Sequence, residues 1–88
     1  MMTETKNSLT FGEALEALKA GKKVARNGWN GKGMYLYLAD GKLLTQEIGD
    51  GSYPFTDSVV MKTADNRYCI GWLASQTDML AEDWHIVE

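Results

Sequence analysis

The sequence predicts an α+β fold, a small antiparallel sheet with an N-terminal covering helix and a short C-terminal helix. Three observations predict it: a capped amphipathic segment after Thr10, several short alternating segments between turn residues, and a second capped segment near Ser75. A chain of 88 residues has room for one such domain, residues 1–88. We expect residues 1–8 to form a flexible N-terminal segment.

The first helix has clear start and stop signals. Thr10 and Glu13 have the spacing of a capping box, in which each side chain accepts from the other's backbone amide. Gly21 supplies the left-handed residue that ends a helix. The apolar residues of one face are Phe11, Ala14, Leu15 and Leu18. This face is predicted to cover the sheet.

A predicted hairpin follows the helix. Residues 23–26 read as a short strand, residues 28–33 as a loop, and residues 34–38 as a strand with alternating polarity. Asp-Gly is a strong two-residue hairpin signal, so Asp40-Gly41 predicts that the chain returns as a strand over 42–45.

The second half contains a loop, a second pair of strands and the last two elements. Turn-forming residues predict a long surface loop over 46–57. Two strands are predicted at 58–62 and 67–70, around a turn at 64–66. A short helix over 75–83, capped by Ser75 or Thr77, and a strand over 84–87 complete the chain.

Composition limits the classes of function. The net charge of −3 argues against a nucleic-acid polymer as partner, because binding to a phosphate backbone needs a basic face. A small anion can still bind where Arg26, Lys32 or Lys62 gathers. The single Cys69 fits a reducing compartment, and the sequence shows neither a membrane-spanning apolar run nor a signal peptide. We therefore expect a cytoplasmic protein that does not associate with membranes.

Two tryptophan segments are the strongest candidate binding features. Trp29, beside Asn30 and Gly31, is a candidate stacking wall for adenine, with glycine amides facing phosphate oxygens. The alternatives are a core indole and ordinary turn glycines. Arg26 is a candidate phosphate partner, with a salt bridge as the alternative, and Lys62 is a candidate that also reads as a solvated strand residue.

The second segment begins at Trp72. The amides at a helix start suit a pyrophosphate, and Asp78 has acceptors for ribose hydroxyls or an adenine amine. The alternative is that Ser75 and Asp78 only cap their own helix. The remaining candidates of this segment are Ala74, Gln76 and Thr77. We expect indole faces from both segments to meet around one ligand, and Trp84 to be core or interface.

Residues with catalytic potential are few. His85 is the only histidine and is expected at a surface or sheet edge, and Cys69 is expected to be a buried, inert thiol. The carboxylates Asp78, Glu82 and Asp83 lack metal-ligand spacing. The sequence therefore predicts a binder rather than an enzyme, with no cofactor and no metal.

Four segments carry a resemblance to a known family. Residues 10–26, 28–34, 61–65 and 72–84 resemble the second Thoeris anti-defence family of phages and prophages, formerly a domain of unknown function. The resemblance implies a non-enzymatic sponge, usually a homotetramer, that sequesters cyclic ADP-ribose-type signals such as glycocyclic ADP-ribose. Some members resemble sponges for cyclic di- or trinucleotides. Gly71 and Asn66 depart from the family pattern, which favours proline and glycine there.

These observations support one leading hypothesis and two alternatives. The leading hypothesis is sequestration of a cyclic nucleotide that stays chemically intact, in a pocket built between subunits. One alternative is an inhibitor that docks on a host defence protein through Trp29, Tyr35 and Tyr37. The other is a signal-nucleotide hydrolase with Asp78 or His85 as base.

Overall fold

The computed structural model describes residues 8–29 and 32–87, and it confirms the α+β fold. A five-stranded antiparallel sheet has the strand order β4-β3-β2-β1-β5. The elements are α1 (Phe11–Lys19), β1 (Lys23–Arg26), β2 (Tyr35–Ala39), α2 (Gly41–Ile48), β3 (Ser58–Lys62), β4 (Tyr68–Ile70), α3 (Gln76–Leu80) and β5 (Trp84–Val87). Apart from Ser8, the predicted flexible segment lies outside the described residues, as do the candidates Asn30 and Gly31.

The first helix has the predicted cap. The Glu13 amide donates to Thr10 Oγ1 over 3.2 Å, and the Thr10 amide donates to Glu13 Oε1 over 2.9 Å. Gly21 follows the helix at a φ of 87°, a left-handed conformation that glycine adopts without a steric cost. Ala14, Ala17 and Leu18 are buried, so the predicted face of α1 packs on the sheet.

The core lies between α1 and the middle of the sheet. Trp84, Leu36 and Val24 are fully buried there. The last strand pairs with β1, which places Trp84 opposite Arg26, and Leu9 makes an isolated bridge to Trp84. Backbone pairing on both sides fixes Trp84, and its indole is 0% exposed and packs against Phe11 and Trp29, which confirms Trp84 as a core residue.

The opposite face of the sheet is left uncovered by α1, and we call it the open face. Successive side chains of a strand point to alternate faces of the sheet, and two residues paired across neighbouring strands point to the same face. By this register the open face comprises Lys23, Ala25, Tyr35, Tyr37, Val60, Lys62, Tyr68, Ile70, His85 and Val87. The rings of Tyr37 and Tyr68 meet edge to face at 5.6 Å between centroids. An aromatic cluster thus occupies the open face.

The predicted hairpin at Asp40-Gly41 is wrong, because these residues begin a helix. Asp40 Oδ1 accepts from the Lys42 amide over 2.8 Å as an N-cap, and residues 42–45 are helical instead of forming a strand. A Cβ added to Gly41 would lie 2.3 Å from the Phe55 carbonyl oxygen, so the chain passes too closely for any side chain. An Asp-Gly pair suits a hairpin turn, and it equally suits a helix start in which aspartate is the N-cap and glycine is the first helical residue. Long-range packing selects the helix start here. The predicted loop shortens to 49–57.

The remaining differences are smaller, except at Cys69. β4 begins one residue later than predicted, and α3 spans only Gln76–Leu80, with Ser75 as its cap. Cys69 is exposed, so its predicted burial is wrong: β4 is an edge strand on which all three residues face solvent. His85 lies on β5, the opposite edge strand, as predicted. No helix within 8–29 and 32–87 is long and apolar enough to cross a membrane.

Residues 40–57 form a projecting segment that we call the arm. Its hydrogen bonds are mostly local: Thr45 Oγ1 accepts from the Phe55 amide, and the Gly41 amide donates to Asp57 Oδ1, both over 2.8 Å. Gly41 is the only described residue of the arm that is buried. Four large apolar residues of the arm are exposed, namely Leu43, Ile48, Tyr53 and Phe55.

Candidate functional site

An ion-pair cluster joins the two tryptophan segments. Arg26, at the end of β1, contacts Asp78 Oδ1 through its Nη1 at 2.9 Å and Asp83 Oδ1 through its Nε at 2.8 Å. The side chains of Arg26, Asp78 and Asp83 are only 14%, 13% and 32% exposed. Charged groups with so little exposure to water are stabilised by their ion-pair partners. The contacts of Arg26 are therefore those of the second interpretation, a salt bridge.

The cluster shifts the titration of all three groups. The hydrogen bonds that Arg26 donates to Asp83 and Asp78 raise the pKa of its guanidinium. The same bond from Arg26, with the Gly28 amide, lowers the pKa of Asp83. Burial alone would raise the pKa of Asp78, but hydrogen bonds from Ser75, Arg26 and Trp29 outweigh it, and the net shift is downward. Both carboxylates therefore remain ionised at neutral pH.

The three indoles form one cluster behind these charges. Trp29 lies edge to face with buried Trp84 at 5.4 Å between centroids, and with Trp72 at 6.3 Å. Trp29 Nε1 also donates to Asp78 Oδ1 over 3.4 Å. The two tryptophan segments meet, as expected, but Trp29 and Trp72 contact each other directly. The two half-buried indoles therefore pack against each other rather than around a space between them.

A cleft of about 550 Å³ lies beside Trp29 at the edge of the open face. Its lining includes three predicted site residues, Arg26, Trp29 and Lys62, together with Tyr35 and His85. A cleft of this size lies within the range of small-molecule sites. The fold thus brings together candidates from β1, the following loop and β3.

Two lysine ammonium groups lie beside the Tyr35 ring of the cleft, although the chain as a whole is acidic. Lys62 Nζ donates to the Gly33 carbonyl over 3.0 Å and lies 6.0 Å from the Tyr35 ring centroid, while Lys23 Nζ lies 4.8 Å from the same centroid. Among the described residues that line the cleft there is no carboxylate. Ammonium groups around a half-buried aromatic ring suit an anionic aromatic ligand.

The predicted ligand contacts leave out Tyr35 and His85, two cleft residues that the sequence indicates only for the docking and hydrolase alternatives. His85 pairs with Ala25 across the β1–β5 ladder and so reaches the cleft beside Arg26. Its Nδ1 is buried with no hydrogen-bond partner among the described residues. The alternation of side chains along β2 and β5 places Tyr35 and His85 on the same face of the sheet. That β5 lies next to β1 is shown only by the strand order of the structure.

The second predicted segment leads into the capped start of α3. The Asp78 amide donates to Ser75 Oγ and the Ser75 amide to Asp78 Oδ2, each over 3.1 Å, which is the capping alternative. Because Asp78 Oδ1 contacts Arg26, both of its oxygens have protein partners. Ala74 is half-buried, and Gln76 and Thr77 are exposed at the start of α3. The described cleft does not include this segment.

With this geometry established, similarity to known proteins identifies the family. Residues 9–87 match the Thoeris anti-defense 2-like domain. The protein Thoeris anti-defense 2 of Bacillus phage SP01 is 48% identical over 88 residues, covering 93% of this chain and 98% of the relative. The chain belongs to the Thoeris anti-defense 2-like family. Membership confirms the resemblance and places the chain among Thoeris anti-defence proteins.

The two departures from the family pattern fall at left-handed backbone positions. Asn66 has a φ of 66° and Gly71 a φ of 91°. Asparagine tolerates the left-handed region, so the turn at Asn66 keeps its shape. Proline is fixed near −65°, so the conformation at Gly71 excludes the proline expected there. The chain therefore enters Trp72 through a residue with a positive φ.

A second groove is the alternative candidate for a ligand site. It measures about 650 Å³ and lies between α1 and the arm, where Leu18, Gly41 and Phe55 are among its lining residues. It is larger than the cleft, but none of the predicted site residues lines it. We give more weight to the cleft because it combines an indole, a phenol ring and a lysine.

Proposed function

We propose that this protein binds and sequesters a cyclic ADP-ribose-type nucleotide, such as glycocyclic ADP-ribose, without degrading it. Family membership supports the anti-defence role, and one structural observation supports the ligand class. A cleft with no carboxylate among its described lining residues places Trp29 and Tyr35 beside Lys62 in a chain of net charge −3. Aromatic rings and a cation at one site match a nucleotide, which has a purine and phosphates.

Each cleft residue has a role in this proposal. Trp29 and Tyr35 present ring faces to the base, and stacking contributes about 1–3 kcal/mol per base. Lys62 faces the phosphates. Arg26 forms the wall between the cleft and the carboxylates. Asn30 and Gly31, which follow Trp29 in the chain, remain predicted ligand contacts.

The segment from Trp72 remains a proposed second contact surface. The amides of Gln76 and Thr77 lie at the exposed start of α3, and the α3 cap uses those of Ser75 and Asp78. Ala74 and Ser75 lead into this start. Because none of its described residues lines the cleft, a ligand that touches both surfaces must extend beyond the cleft.

We propose a homotetramer as the working assembly. A single small domain leaves the cleft open, and enclosure of a dinucleotide-sized ligand needs surface from a second subunit. On the open face Tyr68 is 63% exposed and Ile70 is 48% exposed, and a contiguous exposed apolar patch is typical of a protein–protein interface. Cyclic di- or trinucleotides are further proposed ligands of the assembled protein.

The proposal is binding without turnover, in the cytoplasm of an infected bacterial cell. Among the described residues of the cleft, His85 has the side chain that most often serves as a general base, so it is the base that a hydrolase would use there. Sequestration uses neither a cofactor nor a metal, and it involves no membrane and no nucleic-acid polymer. Affinity and slow release are sufficient.

Depletion followed by release tests this function. Purified protein is mixed with glycocyclic ADP-ribose, the free nucleotide is measured after filtration, and the retained complex is heated. We expect depletion at stoichiometric protein and recovery of the intact nucleotide on heating. A cleaved product that disappears in His85→Ala would instead show a hydrolase.

The same preparation distinguishes the direct inhibitor. Absence of depletion, together with a stable complex between this protein and a Thoeris protein in a pull-down, would contradict sequestration. Light scattering with and without the nucleotide measures the proposed tetramer.

A further inference from the structure

One acidic residue outside the predicted site contacts three consecutive residues before Trp29. Asp83 accepts from the Arg26 guanidinium over 2.8 Å and from the Gly28 amide over 2.8 Å. Its backbone carbonyl accepts from the Asn27 amide over 3.1 Å. The chain then continues into Trp29, whose amide donates to the Arg26 carbonyl over 3.3 Å.

We propose that Asp83 is a positioning residue that holds Trp29 in the wall of the cleft. The identity of the ligand that binds the cleft rests on the proposed function. The segment between Arg26 and Trp29 leaves the sheet, so it lacks the ladder bonds that fix a strand. Asp83 replaces them with bonds to both backbone and side chain, from a residue next to buried Trp84. The core thereby sets the position of the indole that faces the ligand.

Arg26 acts in the same structure as a cross-link. Its guanidinium is shared between Asp78 and Asp83, so the cluster of one cation and two carboxylates has a net charge of 1 − 2 = −1. A cation already neutralised in this way attracts a phosphate weakly. Lys62, which donates to a backbone carbonyl, is left as the phosphate contact of the cleft.

The packing at Gly28 shows how closely the segment is held. A Cβ added to Gly28 would lie 3.0 Å from Asp83 Oδ2 and 3.1 Å from Arg26 Nη2. Both contacts are tighter than ordinary van der Waals distances. The backbone therefore sits directly on the ion pair, and movement of the Asp83 carboxylate changes the path of the chain into Trp29.

Two substitutions at Asp83 and one matched control test the inference. Asp83→Ala removes the side-chain bonds to Arg26 and Gly28, whereas Asp83→Asn keeps an oxygen for the Gly28 amide and loses the charge. Asp65→Asn removes the same charge from an exposed pair, Asp65 and Arg67 at 3.2 Å, in the turn between β3 and β4. The measurements are the dissociation constant for glycocyclic ADP-ribose and the indole N–H resonances of Trp29 and Trp84 by NMR.

We expect Asp83→Ala to raise the dissociation constant at least tenfold and to shift or broaden the Trp29 resonance. The Trp84 resonance should stay in place, because its Nε1 donates to the Asp78 carbonyl over 3.0 Å in either case. Asp83→Asn should have an intermediate effect, and Asp65→Asn should bind within twofold of wild type.

An unmoved Trp29 resonance with binding within twofold of wild type would overturn the inference. If Asp83→Ala does not fold, Asp83→Asn decides by the same two readouts. If the wild-type protein does not bind the nucleotide, the proposed function fails, and the Trp29 resonance of the variants alone decides whether Asp83 positions the indole.

Discussion

The tryptophan side of the molecule and the arm are built by different kinds of contact. On the tryptophan side, Arg26 and Trp29 contact Asp78 and Asp83, residues about fifty positions away in the chain. In the arm, the described side-chain hydrogen bonds span 16 residues or fewer. Long-range contacts fix side chains relative to the core, which a preformed binding site requires. The arm has the local bonds of a helix and a loop, and it leaves its apolar side chains exposed.

The largest effect on stability should come from the indole at the centre of the long-range contacts. Trp84→Ala removes a side chain that is 0% exposed and its bond to Asp78, so we expect a loss of about 3–5 kcal/mol in the free energy of unfolding. Urea denaturation followed by circular dichroism measures it. A loss below about 1 kcal/mol would mean that Trp84 does not organise this side of the molecule.

The ion-pair cluster should give the next effect, and it should depend on pH. Arg26→Met leaves two partly buried carboxylates without a cation, which costs about 1–3 kcal/mol at pH 6. The pKa values of Asp78 and Asp83 are lowered by folding, so their stabilisation is present above the unfolded value of about 4 and is lost as the pH falls through the folded values.

The difference between wild type and Arg26→Met should therefore shrink as the pH falls below about 4. Unfolding curves at pH 6 and pH 3 measure this difference. A gap that stays constant between the two pH values would contradict the role of the charges.

The arm has one position at which a small change should matter. Gly41→Ala forces a methyl group against backbone atoms of Phe55, Thr56 and Asp57, so we expect a loss of about 1–3 kcal/mol. Gly12→Ala is the matched control, because the added carbon meets nothing closer than Thr10 Oγ1 at 3.9 Å in a helix that favours alanine. Thermal unfolding of both variants is the test, and equal stability would show that the start of α2 is not tightly packed.

The smallest effect should come from the exposed surface of the arm. Tyr53 is 85% exposed, so Tyr53→Ser should change the free energy of unfolding by less than about 0.5 kcal/mol. The measurement is urea denaturation at low protein concentration. A larger loss would show that the arm packs on something that a single chain does not contain.

The sequence predicted the features that depend on neighbouring residues. The caps at Thr10 and Ser75 are complete within four residues, and both are present. Asp40-Gly41 was misassigned because one dipeptide suits both a hairpin turn and a helix start. The pairing of β2 with β3, which decides between them, involves residues about twenty positions further along the chain.

The candidate site was predictable in its residue types and less so in its contacts. Glycine, tryptophan and arginine indicated a binding surface, and the cleft contains Arg26, Trp29 and Lys62. Neither the contact between the two half-buried indoles nor the part played by Asp83 has a sequence signal, because both depend on how β5 lies beside β1.

The most direct test of the account compares two lysines. Lys62 lies in the cleft and Lys42 lies in the arm beside the larger groove, so Lys62→Met and Lys42→Met remove the same charge from the two rival sites. The measurement is the dissociation constant for glycocyclic ADP-ribose by isothermal titration calorimetry. We predict at least a tenfold increase for Lys62→Met and less than a twofold change for Lys42→Met. The reverse order would contradict the assignment of the nucleotide to the cleft beside Trp29.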